Sequence, residues 1–272
     1  MTEPPEGTPP DSSPVVRIEI EPPEGTPPGS VPPLYVEIGP SSTIVHNYRF
    51  FYYLANEMAY LAREKSEQYK SDPERHTPLN EYRYCIATVI FAFTYADAYV
   101  NHLMHSPDSP VAELFGEMSP NLRGSIDRLS LPEKVEYVVL HHPDSKVSKL
   151  DRSREPFQSF DLLRQLRNFL VHYKPRSELT DFISKEHYEK EAISLEHKVS
   201  GKFAFNEALA FKEGSSDSTG LTHAAAFVYR CFSKDCAKWS FEVGRDFVNW
   251  IGHTLSIQSP SLQDFWSLGD DQ

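Results

Sequence analysis

The chain has 272 residues, 39% hydrophobic content and a formal net charge of −12. That length and apolar content suit one sizeable core with appendages, and the overall acidity argues against a non-specific nucleic-acid binder. No run of about 18 apolar residues suggests a membrane span, no basic-then-apolar start marks a secretory signal, and three cysteines without a C-x-x-C pair read as reduced thiols, so the expectation is a soluble cytoplasmic protein.

Residues 1–41 open with a tandem repeat: EPPEGTPPDSSPVVRIEI at 3–20 is followed by EPPEGTPPGSVPPLYVEI at 21–38. Dense proline removes backbone donors and favours extended conformations, and acidic units with little apolar mass cannot offset the entropy of ordering. A disordered arm is expected, with the VVRIEI and PLYVEI ends able to add to a sheet edge or bind a protein partner. From residue 42 to 257 the pattern is helical. Tyr48, Phe51, Tyr52, Ala55, Met58, Ala59 and Ala62 recur at spacings of three and four, the mark of an amphipathic helix over 44–70. Thr77-Pro78 reads as an N-cap followed by proline at the first helical position. It opens a helix over 78–105 that is apolar on most sides and predicted to be central.

Residues 106–130, with Pro107, Pro110 and Pro120, read as loops around one short helix at 110–118. A further helix starts at Pro132 and stops at Pro143, another spans 157–174, and a shorter one covers 178–192. Alternation around Ser200-Gly201 is a hairpin signal, placing a small β-hairpin within a variable insertion at 176–222. Residues 222–257 read as one last helix, and 258–272 as an acidic tail. Trp239 and Trp250 in that last helix read as packing residues.

The charge is unevenly spread. Residues 1–40 hold seven acids and one base, whereas 146–176 hold eight bases and three acids, a local excess of +5. A solvated helix face explains such a run as well as a binding surface does. Within it, FQSFDLLRQLRNFLVHYKP at 157–175 carries Arg167-Asn168, a three-residue spacer and His172. Bare Arg-x4-His is a weak motif, and the adjacent Asn sharpens it. On a helical wheel, Leu163, Leu166, Leu170 and Tyr173 form a core stripe, and Arg164, Arg167, Asn168 and His172 fall on the arc facing away from it. Taken alone, His172 fits an exposed histidine complementing the helix dipole, and Asn168 its i,i+4 partner.

Together with YADAYVNHLM on the earlier helix and LPEKVEYV between them, this segment resembles the HEPN domains, all-α four-to-five-helix up-and-down bundles found in many metal-independent ribonucleases. The resemblance spans about residues 44–175. It implies a metal-independent endoribonuclease, such as a toxin or defence effector, with a catalytic set of Arg167, Asn168 and His172 that needs no metal and no cofactor. Asp97 and Asn101 would support the set, Asp97 by pairing with Arg167. Arg164, Lys174 and Arg176 would hold the RNA. Histidine titrates nearest neutrality and serves as base or acid. Arginine offers a charged fork matched to phosphate oxygens. One histidine leaves a second proton-transfer role unfilled, which such ribonucleases commonly resolve by forming a homodimer; Val171, an apolar residue on the motif arc, would pack there. Two other readings stay open, since the fold alone does not decide activity: a non-catalytic HEPN module binding nucleotide, RNA or a protein, and a helical scaffold. His102/His105 and His141/His142 lack the carboxylate spacing of a zinc site, and no Walker, dinucleotide or nucleophile-elbow motif is present.

Overall fold

In the computed structural model, the described residues are 16–20, 34–38, 47–106, 109–145, 147–172, 182–206 and 223–257. They are mainly helical. Strands β1 (Val16–Ile20) and β2 (Leu34–Ile38) precede nine helices among the described residues: α1 (Asn47–Ser71), α2 (Pro78–His105), α3 (Pro110–Glu117), α4 (Pro120–Asp127), α5 (Leu131–His141), α6 (Phe157–His172), α7 (Phe182–Val199), α8 (His223–Cys231) and α9 (Lys234–Thr254). The strands are the ends of the two sequence repeats. They pair with each other in antiparallel register, Val16 opposite Ile38 and Ile20 opposite Leu34, which matches apolar position to apolar position. The rest of the arm expected to be disordered lies outside the described residues, as does the acidic tail from 258.

Helix starts follow their capping chemistry. Thr77 Oγ1 accepts from the Leu79 N–H at 3.3 Å with Pro78 at the first helical position. At α5, the Glu133 carboxylate accepts from both the N–H and the hydroxyl of Ser130, at 2.8 and 2.6 Å, tying the first turn shut. The region read mostly as loops at 106–130 contains α4 besides α3, because Ser119-Pro120 repeats the same cap-then-proline device.

Two expectations are corrected. The small β-hairpin at Ser200-Gly201 is not formed: α7 runs through Val199, and Ser200–Asn206 continue as turn and coil without strand pairing. Ala192, Leu195 and Val199 are buried, so spacings of three and four outweigh the short alternation. The single helix expected over 222–257 is also two, because Ser233 ends one and caps the next, its Oγ accepting from the Cys236 N–H at 3.2 Å.

Helix α2 is the centre, packed against α1, α3, α5, α6 and α9. It runs antiparallel to α1, so that Phe51 meets Phe91 while Tyr48 meets Tyr99. Fully buried Ala55, Ala59 and Ala62 leave α1 a narrow face for close helix approach. On the other side α9 crosses α2 at Gly244, where an added Cβ would stand 2.8 Å from the Ala92 carbonyl oxygen.

The start of α9 is anchored by a buried acid. Glu81 of α2 is 3% exposed. One carboxylate oxygen accepts the Lys234 N–H at 2.6 Å and the other accepts the Asn206 amide at 3.0 Å. Burial raises its pKa above the ordinary carboxylate range, against the lowering effect of the Lys234 and Ser66 hydrogen bonds. A raised folded-state pKa means that the protonated form is favoured by folding. The associated stability is full below the unfolded-state value of about 4.3 and declines as pH rises through the folded-state value.

Two predictions follow from these contacts. Gly244→Ala should destabilise the protein by about 1–3 kcal/mol, because backbone rather than a movable side chain fills the space; thermal or urea unfolding measures it. Glu81→Ala should cost about 1–3 kcal/mol, because the Lys234 N–H at the start of α9 loses its carboxylate acceptor. Glu81→Gln should cost less, and its deficit relative to wild type should shrink as pH rises from 4 to 7 in urea titrations, since only the wild type loses the contribution of the protonated acid.

Candidate functional site

The motif helix α6 is held by a column of rings. Phe160 stacks on Phe247 of α9 with centroids 3.8 Å apart and planes 3° from parallel. Its other neighbour is Phe93 of α2 at 5.8 Å and 11°. The Arg167 guanidinium covers Phe93 at 5.2 Å. Phe157, Leu162, Leu163, Leu166 and Phe169 are buried around this column.

The buried arc of α6 is therefore wider than the leucine stripe suggests, and the expectation that Arg167 faces away from the core is corrected. Phe160 is itself a core residue at 1% exposure, and Arg167, seven residues on and nearly aligned with it at 100° per residue, lies at the core's edge. Its Nη1 donates to Asn168 Oδ1 at 3.1 Å, while its Nε is buried with no protein partner.

A polar cluster surrounds this guanidinium. From α2, Asp97 and Asn101 face the α5–α6 side, and from α5 the Lys134 ammonium donates to Asn101 Oδ1 at 3.0 Å. Burial raises the Asp97 pKa above its ordinary value; the charges of Lys134 and then Arg167, and a hydrogen bond from Asn101, pull it part of the way back. Asp97 thus senses Arg167 through its charge, and no ion pair between them is formed among the described residues. The cluster holds two cations, two amides and one carboxyl group reluctant to ionise.

The remaining candidates divide. Arg164 is committed to Asp161, at 2.7 and 2.9 Å. Val171 is 49% exposed, available to a partner surface. His172 closes α6 four residues after Asn168, but its side chain lies outside what is described, as do Lys174 and Arg176. Two contributors escaped sequence reading. Lys134 sits in the linking helix among the apolar positions Leu131, Val135 and Val138, where its only signal is one cation flanking a buried stripe. Phe93 is one of many aromatics on α2, and nothing in the pattern marks it as the seat of the guanidinium.

Beside the first half of α6, a cleft of ≈ 710 Å³ is lined by Ser130 and Glu133 at the start of α5, by Arg152, by Asp161 and Arg164, and by Lys198 and Lys202. Several charges of 146–176 are engaged in ion pairs, and of its described bases only Arg152 is paired with an acid from outside the segment. Arg152 pairs with Glu136, Arg154 with Asp151 and Lys202 with Glu155. Among the described residues, no group of three His, Cys, Asp or Glu side chains is placed to hold a metal ion, and no helix is long and apolar enough to cross a membrane.

Comparison with family models, with curated proteins and with solved structures yields no match.

The cluster makes a titration prediction. Arg167→Met or Lys134→Met should each raise the Asp97 pKa further, because each removes a cation that favours the carboxylate. The side-chain carboxyl carbon shift followed by NMR against pH reads this directly, and unchanged titration in both variants would show the groups to be independent.

Proposed function

We propose that this protein is a metal-independent endoribonuclease of HEPN type that cleaves RNA with Arg167, Asn168 and His172. The observation carrying the reading is the Arg167 guanidinium: a permanent charge seated on Phe93, tied to Asn168 and set beside a polar cluster at the rim of the core. A charge fixed in advance of substrate suits stabilisation of a phosphoryl group in the transition state, since it needs no reorganisation during the reaction. Asn168 orients the fork. His172, one turn beyond Asn168, supplies the titrating imidazole for the 2′-hydroxyl proton or the leaving oxygen. Asp97, Asn101 and Lys134 hold the electrostatics of the seat. The exposed Val171 on the same helix supports a homodimer in which two motif helices meet and the second copy provides the other proton-transfer group. A toxin or defence effector is the biological setting this chemistry suits.

A second reading rests on a specific feature. Arg167 is half-buried with its Nε out of reach of solvent, and Arg164 is tied to Asp161. Such spent cations favour a module that binds nucleotide or RNA without cutting it.

The two separate in one experiment. Wild type, His172→Ala and Arg167→Ala, each checked for helical content by circular dichroism, are incubated with RNA in excess EDTA. The ribonuclease reading expects cleavage by wild type and a loss of about 100-fold or more in His172→Ala. Equal rates in all three sink it. Binding without cleavage by wild type, weakened in Arg167→Ala, establishes the second reading.

A further inference from the structure

The last described residue, Ile257, leaves the bundle close to the cleft beside α6. Helix α9 closes with Ser256 at φ 57° and with the Ile257 N–H bonded to the Gly252 carbonyl at 2.9 Å, a chain reversal common at helix ends. Gly252 lies two residues beyond Trp250, whose ring meets Phe157 edge to face at 5.2 Å, and Phe157 lines the cleft. At a rise of 1.5 Å per helical residue, this puts the start of the acidic tail within about 15 Å of the cleft.

The cleft is lined as a site for an acidic, aromatic segment. Its buried lining is apolar, with Phe157, Phe160 and Leu162, and its outer lining carries four cations, Arg152, Arg164, Lys198 and Lys202, against two acids, Glu133 and Asp161. Arg152 and Arg164 are taken up by Glu136 and Asp161. The two exposed lysines are held more lightly. Lys198 donates to the neutral amide oxygen of Gln165 at 2.9 Å, and Lys202 stands 3.5 Å from Glu155. Exposed contacts of this kind are weak and open to exchange. A volume of ≈ 710 Å³ falls in the range of about 300–1,000 Å³ typical of clefts that enclose a small ligand, ample for one indole and its neighbours.

We propose that residues 258–272 of this chain fold back onto the cleft, with Trp266 against its apolar lining and Asp264, Asp270 and Asp271 answering Lys198 and Lys202. The segment holds these three acids and no base, and Phe265-Trp266 directly follow Asp264. The seven-residue step from Ile257 to Asp264 spans up to about 23 Å when extended, so the acid reaches the cleft. A short tether also holds the segment at an effective concentration on the order of millimolar, which populates a contact too weak to form between free molecules. The N-terminal arm is more acidic, but it contains no Phe or Trp, and its apolar stretches β1 and β2 pair with each other. A docked tail covers Asp161 and Gln165, which precede Asn168 on the same face of α6. It therefore competes with any anion that approaches the motif helix from that side, whether or not the protein cleaves RNA.

The test uses the full-length chain and has two arms. A carbodiimide joins carboxylates to lysines in direct contact, and peptide mass spectrometry locates the links. The expected products join Asp264, Asp270 or Asp271 to Lys198 or Lys202 within one chain. Mixing light and heavy-isotope protein separates links within a chain from links between chains, and the Lys202–Glu155 pair is the internal control for reactivity. In the second arm, the emission of Trp266 is taken as the difference between wild type and Trp266→Phe. It should be blue-shifted and shielded from acrylamide, and the double variant Lys198→Glu, Lys202→Glu should shift it to the red and abolish the shielding. The wild-type links decide the matter even if that variant fails to fold. The control link without any tail link, tail links only between chains, links from acids of the N-terminal arm in place of the tail's, or a Trp266 as open to acrylamide as free tryptophan each overturns the proposal.

Discussion

Everything placed around the candidate site depends on the ring column formed by Phe247, Phe160 and Phe93 with the Arg167 guanidinium at its end. Each stacked aromatic pair contributes about 0.5–1.5 kcal/mol beyond its buried area, and the pairs join α9 to α6 and α6 to α2. A shift of α6 along its axis would break both ring contacts together, which fixes the register of the motif helix against its neighbours. The guanidinium is a different matter. A partly desolvated cation–π contact gives about 0.5–2 kcal/mol, while a buried N–H with no partner costs about 1–3 kcal/mol. The two roughly cancel, so Arg167 is not explained as a stabilising residue. Methionine or leucine would fill the place without the unpaired Nε. The column holds α6, and Arg167 rides on it at little net gain, as expected of a charge kept for what it can do to a ligand.

Helix α2 connects this site to the rest of the fold through its two ends. Near its start, Glu81 receives the first N–H of α9 and the Asn206 amide; toward its end, Phe93, Asp97 and Asn101 form one wall of the polar cluster. Helix α9 returns along α2 past Gly244 and delivers Phe247 to the column. The Glu81 node thus joins α2 to α9, while the Asp97–Asn101 cluster joins α2 to α5 and α6, with the close approach at Gly244 lying between them along α2. This explains why α2, read as simply apolar on most sides, carries polar residues at Glu81, Asp97 and Asn101. They are where other helices must be told where to stop.

Local chemistry was legible in the sequence and long-range packing was not. The Thr77-Pro78 start of α2, the proline that opens α3 and the helical nature of 157–172 are written in caps, prolines and periodicity, which act within a few residues. The turn at Phe232-Ser233 was not legible, because no glycine or proline marks it and the apolar spacing continues on both sides; the break exists because Ser233 caps α9, its hydroxyl also donating to the Ala204 carbonyl. The hairpin expected at Ser200-Gly201 failed because a short alternation in sequence carries no knowledge of what α7 packs against. For α6 the wheel placed Asn168 on the open side, yet it underestimated the buried arc. Helix α6 touches α2, α7 and α9, and a helix packed on several sides has no single stripe.

Charge shows the same limit with a functional consequence. The excess of bases over acids at 146–176 is real in the sequence, and among the described residues pairing removes little of it: Arg152 takes Glu136 from another element, Arg154 and Arg164 pair with acids of the segment itself, and Lys202 takes the segment's Glu155. Exposed pairs of this kind add little stability. With a net charge of −12, long-range attraction to a polyanion is weak or adverse. If the protein takes RNA as proposed, the net charge of the chain would not draw it in, and recognition would rest on short contacts around Arg167. Such a site neutralises few phosphates, releases few counterions and binds with a shallow dependence on salt. On that proposed reading, the selectivity of the site would lie in the geometry of one fixed guanidinium rather than in long-range charge.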